Sequence, residues 1–272
     1  MEYGRVIHRL AGVLSLAFLA ALAGCGHREA DSPVSQDVDP KSIAEYDVAR
    51  DLWLQRHQPR QALDHALNAV QMDDENAEAA HMVALIYLDF CRMSPSECQL
   101  DQAARYARQA LDVFPKYREA RNTLGVILIH QRKYDEAIST LLPLSQDILY
   151  QTPENAWGNL GWAYLESGKV ERAIDALQRA VAAQPAFCVG HYRLGQAFEK
   201  KGDPQEALIA YGRALNADQR CQGLQEAWGA RGKLLMKLGR ADDGRADLDE
   251  CVRLDQSTET GRQCRAGLGK QP

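Results

Sequence analysis

Seven cysteines and seven histidines have the widest range of chemistry open to them in this 272-residue chain. Structural zinc would need cysteines at C-x2-C-type spacing or a histidine cluster among them. The cysteines at 25, 91, 98, 188, 221, 251 and 264 form no such pair. His57, His65, His81, His130 and His191 are scattered along the chain and read as solvated or hydrogen-bonded helix residues. There is no nucleophile elbow, no glycine loop to cradle phosphate and no CxxCH haem site. The expectation is therefore a chain without catalytic residues, metal or cofactor. The formal net charge of -5, with no block of Lys or Arg, argues against nucleic acid, because neutralising phosphates needs clustered cations. It argues equally against docking by charge on anionic lipid.

One cysteine has a chemistry of its own. Arg5, His8 and Arg9 form a basic flank, and Leu10 to Leu22 is an uninterrupted run of apolar and small residues. That run is short for a membrane span and suits a signal-peptide core. It ends in Leu22-Ala23-Gly24-Cys25, which resembles a bacterial lipobox. The resemblance implies cleavage after Gly24 and acylation of Cys25. Losing Glu2, Arg5 and Arg9 would leave the mature chain about one unit more acidic. Each buried methylene contributes about 0.8 kcal/mol, so two or three acyl chains would hold the protein stably on a membrane. The alternatives are ordinary secretion with Cys25 a bystander, or a cytosolic apolar start. Gly26 is not Asp, which in proteobacterial lipoproteins implies sorting to the outer membrane. From Gly26 to about Pro40 the chain is polar, proline-bearing and free of aromatics, so residues 25–42 are expected to be a flexible tether.

The elements that must carry the remaining cysteines announce themselves as a repeat. Gly125, Gly161, Gly195 and Gly232 are 36, 34 and 37 residues apart, and Ala137, Ala173, Ala207 and Gly244 keep the same intervals. The second series trails the first by twelve residues, the length of one helix, a tight turn and the start of another. In the unit from Glu154 to Pro185, Trp157, Leu160, Gly161 and Tyr164 share one helix face, and Ala173, Leu177 and Ala180 share a second. Gly168 breaks between the two helices, and Pro185 ends the second. This resembles the tetratricopeptide repeat, and it implies an all-α superhelical solenoid of about six helix-turn-helix units over residues 43–258. The units fall at about 43–76, 77–117, 118–153, 154–187, 188–224 and 225–258. The first is irregular, because Arg50 stands where a small residue is expected. Residues 259–272 hold a capping helix and tail, which a solenoid needs to cover its last apolar face.

With Cys25 assigned to lipid, six cysteines remain, an even set for an oxidising compartment. Cys91 and Cys98 bracket the one long insertion, CRMSPSEC, inside repeat two. Cys188 opens repeat five and Cys221 closes it. Cys251 is on the second helix of repeat six, and Cys264 is on the cap. The register therefore favours the pairs 91–98, 188–221 and 251–264, with buried free thiols as the alternative.

In the repeat fold, positions 2, 5, 9, 12 and 13 of each first helix face a concave groove. Carried onto this register, they include His81, Leu85 and Leu88 in repeat two, and Asn122, Val126, Ile129 and His130 in repeat three. Trp162 and Leu165 follow in repeat four, and Tyr192 and Gln196 in repeat five. Such an apolar floor with a few polar groups suits an amphipathic helix or an extended segment of a partner protein. The alternative is that Trp162 and Ile129 pack between adjacent first helices. Asp47 and Asp51 occupy repeat one where chaperone-binding repeats place the Lys and Asn of a carboxylate clamp, so a clamp for C-terminal carboxylates is not expected there.

A lipobox followed by about six such units resembles the type IV pilus assembly lipoproteins, the pilotin family called PilF or PilW, and especially its myxobacterial, Tgl-like form. RNTLGVILIHQRKYDEAI (121–138), LYQTPENAWGNLGWAYLESGKVERAI (149–174) and PAFCVGHYRLG (185–195) carry the likeness. The last segment is the most specific, because a cysteine opening a repeat is no part of the general consensus. The likeness spans most of residues 43–264, and the Cys91–Cys98 insertion and Arg50 depart from the pattern. The resemblance implies an outer-membrane, periplasm-facing factor, not an enzyme, that binds secretin subunits and aids their insertion and oligomerisation. The competing reading is a repeat lipoprotein that scaffolds peptidoglycan hydrolases or division proteins. A further class is a subunit of an outer-membrane insertion machine.

Overall fold

The computed structural model describes residues 37–269. The apolar segment at 1–24, Cys25 and the tether as far as residue 36 lie outside the described residues. Twelve helices form six antiparallel pairs: α1 (Pro40–Leu54) with α2 (Pro59–Met72), α3 (Ala77–Met93) with α4 (Leu100–Val113), and α5 (Arg118–His130) with α6 (Tyr134–Ser145). They continue as α7 (Pro153–Glu166) with α8 (Val170–Ala183), α9 (Cys188–Lys201) with α10 (Pro204–Asn216), and α11 (Gln225–Lys237) with α12 (Ala241–Leu254). A final helix, α13 (Glu259–Leu268), packs on α11 and α12. No strand occurs among the described residues.

Small residues dictate the pairing. Ala84, Gly125, Gly161 and Gly195 are buried on the first helices, and Ala103, Ala137, Ala173 and Ala207 on their partners. Backbones can approach closely only where side chains are this short. The large residues one turn further along each second helix, Leu141, Leu177 and Tyr211, are completely buried in the space the glycines leave. In five of the six pairs the chain turns between the helices through one left-handed residue, the exception being the longer link from α3 to α4. Gly168, Gly202 and Gly239 take it with φ of 79°, 92° and 77°, and His57 and Arg132 with 53° and 60°.

The first pair corrects the reading of Arg50. Ala49 is fully buried and takes the small position, while Arg50 is exposed and pairs with Asp47 at 2.9 Å. The link between α1 and α2, residues 55–58, is one residue longer than the 131–133 link of repeat three, which displaces the register by one. The solenoid also begins earlier than residue 43. Asp39 caps α1 by accepting the Lys41 N–H at 2.8 Å, with Pro40 at the first helical position, where its missing donor costs nothing. Ser42 is buried, donates to the Ala69 carbonyl at 2.8 Å and accepts from Asn76, tying repeat one to repeat two.

Contacts also run from α1 to α3, α3 to α5, α5 to α7, α7 to α9 and α9 to α11. First helices thus touch first helices along one side. In a curved stack the more closely spaced row is the inner one, which makes this row the concave face.

Candidate protein-binding groove

The residue that follows the small position on each first helix points into the groove. This row reads Leu85, Val126, Trp162 and Gln196, all half-buried, and Tyr192 and Leu88 flank it with similar exposure. Trp162 lies at the centre. The His130 ring meets it edge-on with centroids 5.2 Å apart, and the Arg193 guanidinium carbon lies 4.2 Å from its centroid. The indole is thus held between groups from α5 and α9 and still offers part of its ring to the groove.

A polar ladder crosses the same three helices. Asn159 Nδ2 donates to Asn122 Oδ1 at 3.0 Å, and Arg193 Nη1 donates to Asn159 Oδ1 at 3.1 Å and to the Gly158 carbonyl at 3.4 Å. Burial pushes Arg193 down to about 10, well above neutral pH, so the guanidinium keeps its charge. His130 is held below its usual range by burial and by the nearby Arg193 charge. Gln196 Nε2 donates to the Tyr192 hydroxyl at 3.0 Å, and burial, then the charge of Glu226, pushes that hydroxyl up to about 12. Tyr192 is therefore a neutral phenol with an apolar face, suited to contact rather than to proton transfer.

Three expected groove residues sit elsewhere. Ile129 and Leu165 are 3% and 4% exposed and belong to the core, because adjacent first helices close over them one turn beyond the groove row. His81 is buried too, its ring nitrogens 3.0 Å from the Tyr117 hydroxyl and 2.9 Å from Thr123 Oγ1. It links repeat two to repeat three. Sequence reasoning missed Asn159 and Arg193, although both lie two residues before the small position of neighbouring first helices.

At the C-terminal end of the groove, Tyr192, Gln196, Lys200, Glu226, Lys233 and Gln263 surround a hollow of about 460 Å³. A larger cleft of about 1000 Å³ separates α8 from α10, with Val181, Phe198 and the exposed Ile209 among its walls. The structure links Cys91 to Cys98 across the insertion, Cys188 to Cys221 across repeat five, and Cys251 to Cys264 between α12 and the cap. No group of three or more His, Cys, Asp or Glu residues poised to hold a metal ion occurs among the described residues.

A tetratricopeptide-repeat model matches residues 99–142, 149–187, 159–223 and 192–258. Over 170 residues the chain is 26% identical to the type IV pilus assembly protein PilF of Pseudomonas aeruginosa, covering 61% of this chain and 65% of that protein. The match thus spans just under two thirds of that relative's length. The fold is similar to the crystal structure of PilW, a widely conserved type IV pilus biogenesis factor, with a TM-score of 0.69, 22% identity, and coverage of 82% of this chain and 98% of that one. It is also similar to a solved Pseudomonas aeruginosa PilF, with a TM-score of 0.62, 20% identity, and coverage of 84% and 97%.

Proposed function

The chain belongs to the tetratricopeptide-repeat family, and from that premise we propose that it is a protein-binding assembly factor of the type IV pilus machine. Its partner in this reading is the secretin, whose subunits it would bind and help to insert and oligomerise. Cys25 would carry the lipid anchor that holds the solenoid on the periplasmic side of the outer membrane. The single observation that carries the reading is the strip of Val126, Trp162 and Tyr192, half-buried side chains on three consecutive first helices. A run of partly covered aromatic and aliphatic groups on a rigid concave wall is the arrangement that receives a partner segment. The similarity to PilF supports the choice of machine.

Affinity purification of the full chain from detergent-solubilised membranes tests this. A secretin in the eluate supports the proposal. Peptidoglycan hydrolases or division proteins in its place would overturn it in favour of a scaffold. The anchor is tested separately: the protein should label with palmitate and partition with the outer membrane, and Cys25→Ser should lose both. Wild-type protein confined to the soluble fraction would remove the anchor and leave the repeats untouched.

A further inference from the structure

Two half-buried arginines elsewhere in this chain face a carboxylate directly, whereas the half-buried Arg121 donates to the Pro115 carbonyl at 2.5 Å. Arg118 meets Asp147 at 2.7 Å, and Arg231 meets Asp247 through two bonds of 2.6 and 2.8 Å. Arg193 has no such partner. No carboxylate lies within ion-pair distance of it among the described residues, although it sits in the middle of the concave wall. Both of its hydrogen bonds use Nη1 and end on neutral oxygens, Asn159 Oδ1 and the Gly158 carbonyl. Nε and Nη2 have no acceptor among the described residues, and neither is sealed off from solvent. The guanidinium is fixed in advance, stacked on Trp162 at 4.2 Å and tethered through Asn159 to Asn122.

Glu166 attracts Arg193 only from beyond ion-pair distance. A cation withdrawn from water with no carboxylate in direct contact is costly, and a planar fork held rigid with free donors matches a carboxylate. The flanking Val126 and Tyr192 are apolar contacts on either side. We propose that the groove reads a carboxylate on its partner, an Asp or Glu side chain within an apolar segment, received by the free edge of Arg193 above Trp162. This rests on the reading of the groove as a binding surface and adds the chemistry of what it selects. Arg193 is then a specificity residue: the apolar strip supplies contact area, and the guanidinium chooses among apolar segments.

Random peptides of about twelve residues, displayed on phage with their C-termini fused, probe this without a free terminal carboxylate. They are selected in parallel on the full chain and on Arg193→Gln. Peptides recovered on the full chain should be enriched in Asp or Glu flanked by aliphatic or aromatic residues, and the variant should lose the acidic enrichment. In a synthetic, amidated copy of the strongest peptide, changing the acid to its amide should weaken binding to the full chain about tenfold or more, and to the variant less than about twofold. That comparison on the full chain stands even if the variant folds poorly. Arg193→Lys, which keeps the charge and loses the fork, should fall between. Apolar peptides without an acid would overturn this inference and leave the groove reading intact, as would acidic enrichment that survives in Arg193→Gln. Recovery of no peptide from the full chain would overturn both.

Discussion

Leu177 occupies the space in which a β-carbon on Gly161 would stand: its Cγ is 2.6 Å from that position. Leu141 faces Gly125 and Tyr211 faces Gly195 in the same way, so one close contact sets the separation of the helices in three successive repeats. Gly161→Ala has to push a fully buried leucine aside. It should cost roughly 1–3 kcal/mol in denaturant unfolding, the usual cost of overpacking a core. No loss of stability would mean that the α7–α8 pair opens freely.

Arg132 holds the left-handed turn position that glycine holds in three later repeats. A side chain there is strained by about 1–2 kcal/mol, part of which glycine gives back as unfolded-chain entropy. Arg132→Gly should therefore raise stability by about 0.5–1 kcal/mol, read as an upward shift in the denaturation midpoint with an unchanged slope. The side chain is exposed, so little packing is lost in exchange.

His81 gives the fold a pH dependence. Burial lowers it from 6.5 to about 4, so the folded protein keeps it neutral where the unfolded chain would already bind a proton. Its contribution is intact above about pH 6.5 and is lost as pH falls towards 4, amounting to on the order of 3 kcal/mol at full effect. Thermal melts from pH 7 to 4 should show this fall, and His81→Gln should flatten it. An equal fall in the variant would assign the dependence to other groups.

Non-reducing mass spectrometry of the mature protein should recover the three pairs seen in the structure, with no free thiol in the repeat body. Cys188–Cys221 encloses a separation of 33 residues and Cys251–Cys264 one of 13. Removing either should cost about 2–4 kcal/mol. Loss of the second should also speed hydrogen exchange in α13, because that bond ties the cap to α12. A peptide joining Cys91 to a cysteine of repeats five or six would refute this pairing.

Trp162→Ala should weaken partner binding by about 2 kcal/mol or more while helical content and cooperativity stay nearly unchanged. The ring is only half-buried: it rests on the hydrophobic core on one side and is flanked by His130 and Arg193, so its removal opens the groove surface more than the core. A fall of about 3–5 kcal/mol in stability would instead mark it as core, with any binding defect following from unfolding. Unfolding and binding measured on one preparation separate the two.

Much of this protein can be read from residue types at fixed intervals. Gly125, Gly161 and Gly195, with Ala137, Ala173 and Ala207, determined the helix pairs, because close approach of two backbones leaves no room for anything larger. The same register laid out where each cysteine falls within its repeat. What the interval could not convey was the length of each turn and the closeness of neighbouring repeats. One extra residue between α1 and α2 hands the small position to Ala49 instead of Arg50. The curvature of the stack seals Ile129 and Leu165 beneath the groove and leaves Val126 and Trp162 partly open, although all four share the same apolar character. The meeting of Arg193 with Trp162, 31 residues away in sequence, belongs wholly to the tertiary structure. A periodic pattern describes one helix at a time, and only the packing of successive repeats decides which side chains of neighbouring helices meet.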